Sequence, residues 1–135
     1  MAVQETNREL PLSFGKMIYW DHGIFEIIPS ANTEINLHHV NEIKKIIGRQ
    51  SPGKERGFLV NRRYSYYHAF SVIQMIDTFE TIRAVAVLAE TRKSYIRSKT
   101  VVESFQSVSK DSSKFRLFRD RKEAMNWLSK KLADV

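Results

Sequence analysis

Four histidines, fifteen carboxylates and no cysteine are the side chains on offer for acid-base, nucleophilic or metal chemistry in this 135-residue chain. Their spacing asks for none of it. His38 and His39 are adjacent in a helical stretch, so they point about 100° apart and cannot chelate one ion as an i, i+4 pair would. His22 falls in a turn, and His68 reads as a surface residue of the second helix, two positions past Tyr66. No GxSxG, HExxH, P-loop or GxGxxG pattern occurs, and the carboxylates are scattered rather than paired. The lack of cysteine removes thiolate zinc sites, disulfides and cysteine nucleophiles. The expectation is a protein that is not an enzyme and uses no cofactor or metal.

Charge is the more informative chemistry. Lysine and arginine total 22 against 15 acidic residues, a formal charge of +7 that favours acidic partners without naming them. In an open α/β sheet, ligands bind beyond the carboxyl ends of the parallel strands, where helix N-termini also point. Those places carry Arg62, Arg63 and Ser65 after the third strand, Arg92, Lys93 and Ser94 after the central one, and Arg119 and Arg121 after the last. Helix N-termini disfavour cations by a few tenths of a kcal/mol each, so basic residues there cost stability unless they meet an anion. The expected site is therefore an anion-binding rim for a phosphate-bearing ligand or an acidic partner surface. The competing reading makes these solvated loop residues of a basic protein. Tyr64, Tyr66 and Tyr67 beside Arg62 and Arg63 have the composition of a base-stacking groove. Alternate residues of one helix cannot all face one groove, so Tyr66 is assigned to the core. Tyr64 and Tyr67, if exposed, would mark a homodimer or partner contact.

These residues must be held by a fold, and Thr81–Glu90 (TIRAVAVLAE) supplies its centre. A nearly uncharged run flanked by helical stretches reads as a parallel strand buried on both faces. Ahead of it, Leu12–Trp20 and Ile24–Ile28 bracket Asp21, His22 and Gly23 as a hairpin with a three-residue loop, which Pro29 ends. Residues 1–11 read as a polar leader. Asn36 caps a helix with Leu37, Val40, Ile43, Ile46 and Ile47 inward, and Gly48 closes it as the left-handed residue. Residues 49–56 read as a loop and Gly57–Asn61 as a short buried strand. Ser65 is placed to cap a helix with Tyr66, Ala69, Phe70, Ile73 and Ile76 on one face. Thr91–Val108 reads as a longer helix with Tyr95, Val102 and Phe105 inward and Val101 or Val108 beside them, Lys110–Lys114 as a turn and Phe115–Phe118 as the last strand. Asp120 and Glu123 have capping-box spacing ahead of an apolar stripe of Ala124, Trp127, Leu128 and Leu132. The order predicts one α/β domain over residues 12–135: about five strands in a mixed, mostly parallel sheet with an N-terminal hairpin, and about four helices. No apolar run approaches the roughly 20 residues of a membrane span. Nothing in the opening residues resembles a secretory signal, so the cytoplasm is the default compartment.

Several phrases resemble the SpoIIAA-like group of the STAS superfamily, the anti-sigma-factor-antagonist fold. Lys16–Ile28 (KMIYWDHGIFEII) is similar to that group's opening hairpin, and Thr33–Ile47 (TEINLHHVNEIKKII) to its first helix with its lead-in. Ala84–Leu88 (AVAVL) is similar to its central strand, and Phe118–Leu128 (FRDRKEAMNWL) to its terminal strand-to-helix phrase. The resemblance implies a cytoplasmic, non-enzymatic regulatory or protein-interaction module; the basic charge supplies the alternative, a binder of nucleic acid or a phosphorylated small molecule. In some relatives it implies a switch by phosphorylation of a serine after the third strand, where this chain has Tyr64 and Ser65. Here the Asp-Ser pair of those relatives is missing, and bulky Tyr64 and Tyr66 flank Ser65.

Overall fold

The computed structural model describes residues 8–50, 55–74 and 82–133. In chain order its elements are β1 (Arg8–Leu12), β2 (Gly15–Asp21), β3 (Ile24–Pro29), β4 (Glu34–Ile35), α1 (Leu37–Gln50), β5 (Arg56–Asn61) and β6 (Tyr67–His68). There follow α2 (Phe70–Gln74), β7 (Ile82–Leu88), α3 (Arg92–Val108), a 3-10 turn over Ser112–Lys114, β8 (Phe115–Phe118) and α4 (Arg121–Ala133). Six strands form one sheet in the order β1-β2-β3-β5-β7-β8, and β4 pairs with β6 in a separate two-stranded ladder. The first three strands are antiparallel, whereas β3, β5, β7 and β8 run parallel. This is the mixed, mostly parallel sheet with an opening hairpin and four helices that the element order predicts.

The sheet separates two cores. On one face Phe25, Ile27, Phe58, Val85, Val87 and Phe115 pack with Val40, Ile43 and Ile47 of α1, Val72 of α2, and Val102 and Phe105 of α3. On the other, Ile24, Leu59, Ala84, Ala86 and Leu88 meet Ala124 and Leu128 of α4. Small alanines on β7 let α4 approach closely. Gly57 serves the same end, since a Cβ there would stand 3.2 Å from a Leu128 methyl. In β7 every side chain but Arg83 is buried, which is why its residues show no polar alternation.

Several boundaries differ from the sequence reading. Arg8–Leu12 is not leader but an edge strand on β2, with Pro11 tolerated because an edge leaves its missing N–H unused. The hairpin turn has two residues rather than three. His22 and Gly23 both take positive φ, 54° and 82°, the backbone of a turn that matches strand twist. A bulge at Trp20 makes this fit: Tyr19 pairs with Phe25 and Asp21 with Ile24, leaving Trp20 as the extra residue. Gly48 lies inside α1, which runs on to Gln50, and it is not left-handed. Leu37 is exposed, not inward. Asn36 does cap α1, its Oδ1 accepting from the backbone N–H of His38 at 3.1 Å, while His39 Nδ1 accepts from the Asn36 N–H at 3.1 Å. Ser65 does not cap a helix, because Tyr67–His68 is drawn into the ladder with Glu34–Ile35 and α2 begins only at Phe70. Residues 51–54 of the expected loop and Ile76 of the expected helical face lie outside the described residues.

Candidate functional site

The end of β5 is where polar residues leave the sheet on both sides. Consecutive strand residues point to opposite faces, so Asn61 turns toward α4 and Arg62 toward α3. Both are buried.

On the α4 face, Asn61 Nδ2 donates to Glu26 Oε2 at 2.8 Å. Glu26 is wholly buried and also accepts from Trp20 Nε1 at 2.9 Å and, bidentately, from Arg121 at 2.9 and 2.7 Å. The Trp20 bulge and the first residue of α4 thus converge on one carboxylate. Burial alone would raise the Glu26 pKa, but the hydrogen bonds from Arg121, Asn61 and Trp20 together with the Arg121 charge outweigh it and hold the carboxyl below its ordinary value. Glu26 in turn raises the Arg121 pKa. Pairing with Glu26 takes Arg121 out of the basic rim.

On the α3 face, Arg62 is 5% exposed and meets no carboxylate among the described residues. Its Nε donates to Ser98 Oγ at 2.7 Å, its Cζ stands 4.4 Å over the Tyr66 ring, and one terminal nitrogen reaches the Tyr66 carbonyl only at 3.5 Å. The other terminal nitrogen, Nη1, has no well-aligned hydrogen bond, and neither has the buried Tyr66 hydroxyl, which neighbours the guanidinium. Ser94 Oγ donates to the Arg62 carbonyl at 2.8 Å, so Ser94 and Ser98, one turn apart on α3, hold the arginine by backbone and side chain.

His68 is not the surface residue that its sequence position suggested. Its ring lies between those of Tyr66 and Phe105, at 5.2 and 5.1 Å. Burial and then the Arg62 charge push its pKa down to about 4, so it is neutral at pH 7. Burial raises the Tyr66 hydroxyl, which stays protonated.

These residues border two spaces. An apolar cavity of about 110 Å³ runs beneath the helices, lined by Ile27, Phe58, Val87, Val102 and Phe105 among others. A more open cleft of about 290 Å³ is bordered by Ser65, Tyr67, Arg97, Thr100 and Ser104. Arg62, Tyr66, His68 and Val101 belong to both walls.

Of the residues expected to form the rim, Arg62 and Ser94 are buried, Arg121 is paired, and Arg63, Tyr64, Arg92, Lys93 and Arg119 are exposed. Ser65 is half-buried on the cleft wall. Sequence reasoning passed over Ser98, Arg97 and Glu26. A charge inside the otherwise apolar IFEII run was the available signal for Glu26, and the i, i+4 spacing of Ser94 and Ser98 ahead of Val102 and Phe105 was the signal for a polar inward patch on α3.

Neither a family model nor a curated protein matches the sequence. Among solved structures, the chain is similar to an uncharacterized protein of the DUF3478 family with a SpoIIAA-like fold from Shewanella loihica PV-4. The likeness covers 90% of this chain and 91% of that one, with 9% identity and a TM-score of 0.49. At this level the likeness says nothing about ligand or partner.

Proposed function

We propose that the chain is a non-enzymatic binding module of the regulatory or interaction kind, whose ligand site is the Arg62 pocket at the carboxyl end of β5 and whose ligand carries negative charge. The observation that carries this reading is a buried guanidinium with no acidic partner among the described residues and one nitrogen with no hydrogen bond. Arginine keeps its charge in proteins, and a buried charge without a counter-charge costs several kcal/mol. Glu26 supports the reading by contrast: the buried charge on the other face has its partners supplied within the chain. Tyr67, 62% exposed on the cleft wall, gives a protein partner or second copy a surface from which occupancy would be felt.

The test is thermal unfolding at constant ionic strength with acetate, benzoate, phosphate and an oligonucleotide, on the wild type and on Arg62→Met. A ligand at ten times its Kd adds about 1.4 kcal/mol, or about 5 °C for a domain of this size. At least one anion is expected to shift the wild type and leave Arg62→Met unmoved. Equal shifts in both proteins, or none in either, would contradict the reading.

A further inference from the structure

Resting on that anion-site reading, we propose that the ligand is a small organic carboxylate with a compact apolar body, its carboxylate on Arg62 and Tyr66 and its body in the apolar cavity.

The donors set the head group. Arg62 Nη1 and the Tyr66 hydroxyl, which neighbour each other, are two buried donors that one carboxylate can bridge, one oxygen to each. A phosphate dianion brings more acceptors and more charge than that wall answers. The neighbouring His68 is flanked by aromatic rings and adds no cation at pH 7. Ser94 spends its hydroxyl hydrogen on the Arg62 carbonyl, and Ser98, which accepts from Arg62 Nε, lines neither space. The only further cation on the cleft wall among the described residues is Arg97, which is exposed.

The cavity sets the body. Apart from Arg62, Tyr66 and His68, its lining is entirely apolar, so a sugar or nucleoside would lose hydrogen bonds on entering. Its volume of about 110 Å³ is well under the roughly 300 Å³ at which drug-sized pockets begin. An apolar protein cavity of roughly 150 Å³ takes a benzene ring. This one is smaller, so a short branched chain fits it better than a ring, and a long acyl chain does not fit. One amphipathic acid would meet the apolar lining and the buried charge at once.

The experiment is calorimetric or NMR titration of the full chain with benzoate, 3-methylbutanoate, benzyl alcohol and inorganic phosphate, repeated on Tyr66→Phe. This variant keeps the ring under Arg62 and removes only the hydroxyl, so it should fold. At least one of the two carboxylates is expected to bind with Kd of about 0.1 to 1 mM, with benzyl alcohol and phosphate silent to 10-fold higher concentration. Tyr66→Phe should weaken the carboxylate about tenfold. Phosphate binding as tightly as the carboxylates overturns the ligand class and leaves the anion site standing. Benzyl alcohol binding equally well, or silence from all four, overturns the inference; the anion site falls with it only if acetate and the oligonucleotide also leave the wild type unshifted. An unchanged Kd in Tyr66→Phe overturns the assignment of the second donor.

Discussion

Arg121→Ala is expected to lower the unfolding free energy by about 3 kcal/mol, the low end of the range for breaking a buried ion pair. Glu26 would be left wholly buried with only the neutral donors Asn61 and Trp20. The low end applies because the Arg121 side chain is 36% exposed, so water can enter the vacated space and screen the carboxylate. Glu26→Gln should cost clearly less, since Arg121 can turn to solvent whereas Glu26 has nowhere to go. Urea unfolding of the two variants and the double mutant measures both. A loss under 1 kcal/mol for Arg121→Ala, as for a surface pair, would mean that the cluster does not hold α4 to the sheet.

Acid is expected to remove roughly 3 kcal/mol of stability between pH 6.5 and pH 4 through His68 alone, taking about 1.4 kcal/mol per unit of pKa difference. The sign follows from which state binds the proton. His68 titrates at 6.5 in the unfolded chain and at about 4 in the fold. Within that window the unfolded chain holds more protons, so stability rises with pH and is complete above about 6.5. Glu26 acts in the same direction but lower. Its folded pKa is depressed from 4.5, so its contribution is present above that value and is lost as the pH falls below it. His68→Phe should flatten the upper part of the profile in urea midpoints taken from pH 7.5 to 4.5. An unchanged slope in that variant would place the acid sensitivity elsewhere.

What the residues made legible was whatever local pattern determines. The uncharged run in β7, the apolar stripe of α4 behind Asp120, and the Asn36 cap each carry their own signal, and each appears in the fold. What long-range pairing determines could not be read in this way. Ser65 has every local credential of a helix cap, yet the backbone beyond it joins the ladder with β4. RELPL looks like a solvated leader because an edge strand is free to be polar.

The site divides along the same line. That basic residues gather at the ends of β5, β7 and β8 was visible in the chain. Which of them turn inward was not, because Arg62 and Arg63 differ only in the side of the backbone from which they leave. One becomes a buried charge; the other stays in water. The histidine was misread for a related reason. Counted as helical, His68 falls on no apolar face, but as a residue of β6 it lies between Tyr66 and Phe105.

Whether Arg62 is kept for a ligand rather than for the fold is tested most directly by the unfolding free energy of Arg62→Met without any added organic anion. Methionine has similar length and no charge to bury, and Ser98 Oγ loses only a donor that its own rotation can offset. If the arginine waits for an anion, the variant should equal or exceed the wild type, by about 1 to 3 kcal/mol, while losing every anion response. A loss of about 3 kcal/mol or more, as when a satisfied buried network is broken, would show that Arg62 holds β5 to α3 and would contradict the central claim.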